Sequence, residues 1–269
     1  MAHPARINLS RRMVHSHERE RWMGATRIEF RLRFAIYCVI FTLGFWAPWI
    51  GTRSLGRHHS LLEWLALELS RLGLLSFHAA TVAVIVIASL AAAAAVVLRL
   101  WGSACLGAAT VHHGQMQASS LMADGPFRYV RNPLYLGTWC MTIAMAFIMP
   151  PTGALFTIVL ISIFQLRLIL GEEAFLAARL GEPYQEYLRA VPRLVPRLRT
   201  GLQSAGNRPE WLRAVLSELL PIGVFITLAF LSWRYDNLLM LRAVLVSLGV
   251  SLVARAVVMR PAARSVAAE

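Results

Sequence analysis

The stretch GPFRYVRNPLYLG, residues 125–137, packs two arginines, two tyrosines, two prolines and an asparagine into thirteen positions. An apolar run over 134–149 begins inside it, so this chemistry stands at the mouth of an apolar helix. Guanidinium groups bind carboxylates and phosphates through paired hydrogen bonds. A second polar set, Arg167, Glu172 and Glu173, closes the next apolar run, 153–170. A charge inside such a run is costly in lipid unless it faces protein, water or a ligand, which singles out Arg167. The tandem glutamates are unfavourable if the helix of this run ends there and favourable if a new helix starts there, and structure alone explains them poorly, so they invite a further role. Glutamates suit an ammonium or the hydroxyls of a sugar. A site with both signs of charge matches a zwitterionic ligand that carries a sugar.

The elements between these two sets decide whether they meet. MPPTG, residues 149–153, cannot continue a helix, and a connection this short makes its flanking runs an antiparallel hairpin. The hairpin brings the entry of one run beside the exit of the other. The chain continues as GEEAFLAARLGEPYQEYLRAVPRLVPRL, residues 171–198. There Leu176, Leu180, Tyr184 and Tyr187 recur at helical spacing across a Gly-Glu-Pro interruption, and the two Val-Pro pairs force an extended path. Residues 199–213 read as a polar linker. LLEWLALELSRL, before the second run, reads either as a surface helix or as an extension of that run.

Composition sets the solvent. The chain is 57% hydrophobic, with a mean hydropathy of +0.57. Six apolar runs, 34–50, 77–98, 134–149, 153–170, 215–233 and 238–259, meet or approach the length that crosses a bilayer. None alternates as a barrel strand does. The expectation is an all-α polytopic transmembrane helical bundle of about six spans, with the tight hairpin formed by spans three and four. The net charge is +13 and every one of the 27 basic residues is arginine. Nineteen fall in segments on one side of the six runs and four on the other, a positive-inside pattern. That pattern places both termini in the cytoplasm. It assigns the charge to topology and anionic lipid rather than to nucleic acid. Three scattered cysteines offer no metal spacing. The organisation reads as a basic cytoplasmic arm (1–33), a membrane domain (34–200) and a linker with two C-terminal spans (201–269).

The combined motifs resemble the family of isoprenylcysteine carboxyl methyltransferases and phospholipid methyltransferases. These are integral membrane enzymes that use S-adenosylmethionine. The resemblance covers about residues 95–200 and rests on GPFRYVRNPLYLG, the hairpin, GEE, LGEPYQEY and VPRLVPRL. It implies that Arg128, Arg131, Asn132, Pro133, Tyr135, Gly137, Glu172, Glu173 and Tyr184 bind the cofactor. The acceptor it implies is hydrophobic or lipid-like, and Glu172 and Tyr135 of the motifs, with Arg167 from its charge within an apolar run, are the residues expected to serve catalysis on it. No metal is implied. Asn132 departs from the histidine of eukaryotic members; an amide cannot shuttle protons, so it belongs with binding. Plainer readings stand beside these: inner-face arginines, a helix-starting Pro133, an interfacial Tyr135. The alternative functions are an NADPH-dependent membrane reductase of sterol or steroid type and a non-enzymatic membrane scaffold.

Overall fold

A computed structural model describes residues 24–46, 60–112 and 124–258, apart from 198, 200, 203, 205, 207 and 235. Among these residues the chain is all helical. Short α1 (Arg27–Arg31) leads into α2 (Arg33–Phe45), and α3 (Leu61–Arg71) precedes the long α4 (Phe77–His112). A 3-10 turn, Gly125–Arg128, opens the motif; α5 (Pro133–Ala146) and α6 (Pro151–Leu180) form the hairpin, and α7 (Glu182–Ala190) comes after it. The chain closes with α8 (Trp211–Ser217), α9 (Leu219–Ile226), which runs on through a π turn, and α10 (Asn237–Val258).

Local chemistry explains these ends. Thr26 with Glu29, and Ser60 with Glu63, form reciprocal capping boxes at the starts of α1 and α3. Pro133 and Pro151 each occupy a first helical turn, where no backbone donor is needed. Gly181, at φ +65°, ends α6 in the left-handed region that glycine tolerates. The start of α3 also closes the hairpin. Its Leu61 and Leu62 amides donate to the carbonyls of Met149 and Phe147, at 2.7 and 3.0 Å, groups that the end of α5 leaves unpaired.

Small residues let the helices touch. The alanine-rich face of α4, with Ala88, Ala92 and Ala95 buried, meets Met141, Ala144 and Met145 of α5 in one core. A Cβ on Gly137 would sit 2.5 Å from Arg99 Cγ, so α5 approaches α4 too closely for any side chain there. Gly153 lies still closer to the Gly44 backbone, where α2 meets α6. Val224 and Leu228 of the α9 stretch, and Met240 and Val244 of α10, enter the same core as α4 and α5.

Two helical stretches, Phe77–Leu106 and Pro151–Leu180, are long and apolar enough to cross a membrane. The pair Trp211–Ser217 and Leu219–Arg234 makes a third if its 68° bend is one broken span. Six spans are therefore not confirmed among the described residues. Helix α5 has only 14 residues, because the polar motif takes its start and the Pro150-Pro151 turn its end. Residues 47–50 of the first expected run lie outside the described residues. The expected continuous run 215–233 is broken at Glu218. Pro221 removes the amide that would continue the ladder, and Glu218 turns inward to Arg99 of α4.

Candidate active site

The hairpin delivers the two polar sets to one end of the bundle. Helix α6 does not stop at Leu170, the end of its apolar run, but continues to Leu180. Glu172 and Glu173 therefore lie within a helix, so neither the penalty of a helix exit nor the benefit of a helix start applies to them. Glu173, only 6% exposed, is the centre of the cluster. Arg131 Nη1 donates to its two oxygens at 3.3 and 3.2 Å, and Asn132 Nδ2 to Oε1 at 3.1 Å. Arg193 adds Nε and Nη2 at 3.0 and 2.8 Å to Oε2. One residue earlier, Glu172 accepts the Tyr135 hydroxyl at 2.9 Å.

The segment after α7 holds the motif in register. The Arg131 amide donates to the Pro192 carbonyl at 2.9 Å, and the Arg197 amide to the Tyr129 carbonyl at 3.0 Å. Arg131 Nε reaches the Val191 carbonyl at 2.6 Å, and Asn132 Nδ2 the Arg193 carbonyl at 3.2 Å. The two Val-Pro pairs thus supply an extended strap across the motif, as their sequence anticipates. Tyr184 and Tyr187 are buried beneath it with Val191, against Leu176 and Leu180. Burial raises both phenols above their ordinary range, and Tyr187 donates to the Phe127 carbonyl at 2.9 Å.

The remaining expected site residues fall elsewhere. Arg128 donates through Nε and Nη2 to the Leu202 carbonyl, tying the 3-10 turn to the linker. Ser204 also donates to Asp124 and the Glu210 amide to the Ala104 carbonyl, so these described residues are tied to the bundle. Pro133 is buried as the first residue of α5, and Gly137 faces Arg99. Arg167 lies on a different face of α6 from the two glutamates. It pairs with Glu29 at 3.0 Å, while the Ala25 amide donates to its carbonyl at 2.8 Å. Gly171 makes room for this contact, because a Cβ there would lie 3.0 Å from the Ala25 nitrogen.

Two partners are not evident from the sequence. Arg193 is legible there only as part of the VPRLVPRL element. Arg99 and Glu218 are 119 residues apart, and nothing local connects them. In the fold Arg99 Nε and Nη2 bind both Glu218 oxygens at 2.6 and 3.1 Å, and Ser103 adds a 2.6 Å bond. Arg99 Nη1 also reaches Thr138 Oγ1 at 2.7 Å and the Leu134 carbonyl at 3.3 Å. This network fastens the start of α5, and with it the motif, to α4 and to the α8–α9 break.

The molecule is thus an all-helical protein with membrane-spanning helices and a carboxylate–guanidinium cluster at the open end of a helical hairpin. Residues 83–182 match the phospholipid methyltransferase family, so the resemblance read from the motifs is borne out over that stretch. The chain is also similar to a protein-S-isoprenylcysteine O-methyltransferase of Schizosaccharomyces pombe. The two are 36% identical over 78 residues, 28% of this chain and 33% of that protein. The chain therefore aligns with about a third of that relative's length. No solved structure matches it.

Proposed function

We propose that the chain is a membrane methyltransferase that takes its methyl group from S-adenosylmethionine and acts on a hydrophobic acceptor. The observation that carries the reading is the convergence on Glu173 of Arg131, Asn132 and Arg193, next to the Tyr135–Glu172 pair. The match of residues 83–182 to the phospholipid methyltransferase family and the partial similarity to a methyltransferase support it.

The donor set suits this cofactor. Two guanidinium groups answer a carboxylate, and two glutamates answer an ammonium and ribose hydroxyls. Arg131, Asn132, Arg193, Glu172 and Glu173 would hold it, with Tyr135 alongside. Tyr184 and Pro133 support them from beneath, while Arg128 and Gly137 position the motif. Bound S-adenosylmethionine supplies a methyl group on a positively charged sulfur, already poised for displacement. The protein's task is then to align the acceptor and exclude water, and alignment alone contributes roughly 7–11 kcal/mol. A carboxylate acceptor needs no base. For an amine acceptor, Glu172 is the carboxylate placed to take the proton, held by the Tyr135 hydroxyl. Arg167 contributes by docking the N-terminal segment against α6.

On the six-run reading, the arginine asymmetry favours the cytoplasmic face for this end of the bundle. The acceptor class is hydrophobic or lipid-like, and the prenylated cysteine in the relative's name is one instance. The test is incubation of membranes containing the chain with methyl-tritiated S-adenosylmethionine. Organic-extractable label above that of membranes lacking the chain is the expected result; equal label overturns the reading.

A further inference from the structure

The apolar stretch that carries Glu218 bends by 68° at that residue, whose side chain is buried against Arg99 of α4. Filling a core needs neither the bend nor the charge. A buried ion pair seldom outweighs well-packed apolar side chains of similar volume, so stability gives this pair little reason to exist.

What the pair holds gives a better one. Glu218 engages Nε and Nη2 of Arg99, and Ser103 of α4 steadies the same carboxylate. The third nitrogen, Nη1, is thereby turned to α5, where it donates to Thr138 Oγ1 and to the Leu134 carbonyl. Gly137, beside Thr138, has no side chain to hold α5 away from Arg99. Two contacts one turn apart set the rotation of α5 about its own axis. Tyr135 follows Leu134, so that rotation aims its hydroxyl at Glu172. The strap after α7 does different work, because it grips residues 129–132 through Tyr129, Arg131 and Asn132. The site therefore has two clamps. The strap holds the groups gathered on Glu173, and the Arg99–Glu218 pair sets the Tyr135–Glu172 contact.

We propose that Glu218 is a positioning residue for methyl transfer. Acting through Arg99, it fixes the rotation of α5 and so places Tyr135. The C-terminal helices, outside the matched residues 83–182, are then part of the working enzyme. This rests on the methyltransferase reading. The test uses two variants. Arg99→Leu with Glu218→Leu removes the pair without leaving either charge buried alone. Thr138→Val keeps the pair and removes one of its holds on α5. Three quantities are read: the melting temperature of the purified protein, and the KM for S-adenosylmethionine and maximal rate of tritiated methyl transfer to endogenous acceptors. The last two are measured in membranes of the expressing cells, per amount of folded chain. Melting temperatures should stay close to that of the wild type, and KM should stay within about threefold, because the strap is untouched. The maximal rate should fall at least about tenfold in the double variant and about threefold in Thr138→Val. A merely structural role would lower the melting temperature and leave the rate per folded molecule unchanged. Three results overturn the proposal: an unchanged maximal rate in either variant, a rise in KM that accounts for the lost transfer, or a loss of transfer that only tracks the loss of folded protein. Wild-type membranes that yield no labelled product defeat the methyltransferase reading itself, and this proposal with it.

Discussion

Glu173 is the only carboxylate among the described residues that gathers two arginines and an asparagine, and they come from two segments some sixty residues apart in the chain. Glu173→Gln keeps its shape and removes the charge that holds Arg131 and Arg193 together. Hydrogen bonds to charged groups contribute about 1.5–3 kcal/mol each, so cofactor affinity should fall roughly ten- to a hundredfold in a direct binding measurement. Tyr135→Phe removes one bond, to Glu172, and should lower the rate of methyl transfer by about tenfold while the protein remains folded by circular dichroism. Much of this cluster is legible in the sequence, because Arg131, Asn132 and Tyr135 lie in one short motif and the glutamates in another. Arg193 is not, because a guanidinium among the many arginines of a basic chain looks like a topology signal until the strap folds over the motif. The placing of Arg167 follows the same logic in reverse. Its charge within an apolar run signals a partner, but only the fold reveals that the partner is Glu29.

At the scale of elements, two ion pairs fix pieces whose sequences give little sign of docking. The Thr26 backbone amide and the Arg167 guanidinium hold the Glu29 carboxyl below its ordinary range. A group depressed in this way contributes stability that is present above its unfolded pKa and lost as pH falls through its folded value. Protection of amides 25–33 from hydrogen exchange should thus persist at neutral pH and weaken once the medium is more acidic than the usual carboxylate range. Glu29→Gln should show the weakened protection at every pH. The Arg99–Glu218 pair is less exposed, with side chains 17% and 4% accessible. Removing one partner of such a pair leaves the other buried and uncompensated, so Glu218→Ala should lower stability by about 3 kcal/mol in thermal unfolding. The double change Arg99→Leu with Glu218→Leu should recover much of that loss. Helix identity itself is legible from apolar runs, capping residues and prolines. The break in run 215–233 is not, since a single glutamate in a long apolar stretch is decisive only when an arginine elsewhere receives it.

At the scale of the whole molecule, the hairpin links fold to function. Pro150-Pro151 lie at the far end of α5 and α6 from Glu173, yet they make the two helices antiparallel neighbours. Changing both to alanine lets the helices extend and shifts the junction of Tyr135 with Glu172. A misplacement of about 1 Å at a reacting centre costs on the order of a hundredfold, so transfer should fall while the protein still inserts into membranes. The all-helical architecture and the hairpin are readable from apolar blocks and a proline turn. The number of crossings is not, because a helix as short as α5 brings Tyr135 to Glu172 without the length that composition alone would demand. We propose above that the Glu173 cluster holds S-adenosylmethionine. Equilibrium binding of radiolabelled S-adenosylmethionine and of NADPH to the purified protein tests it most directly. Saturable binding of the first is expected, at least about tenfold weaker in Glu173→Gln, and none of the second. Binding of NADPH in its place, or S-adenosylmethionine affinity indifferent to Glu173, would contradict it.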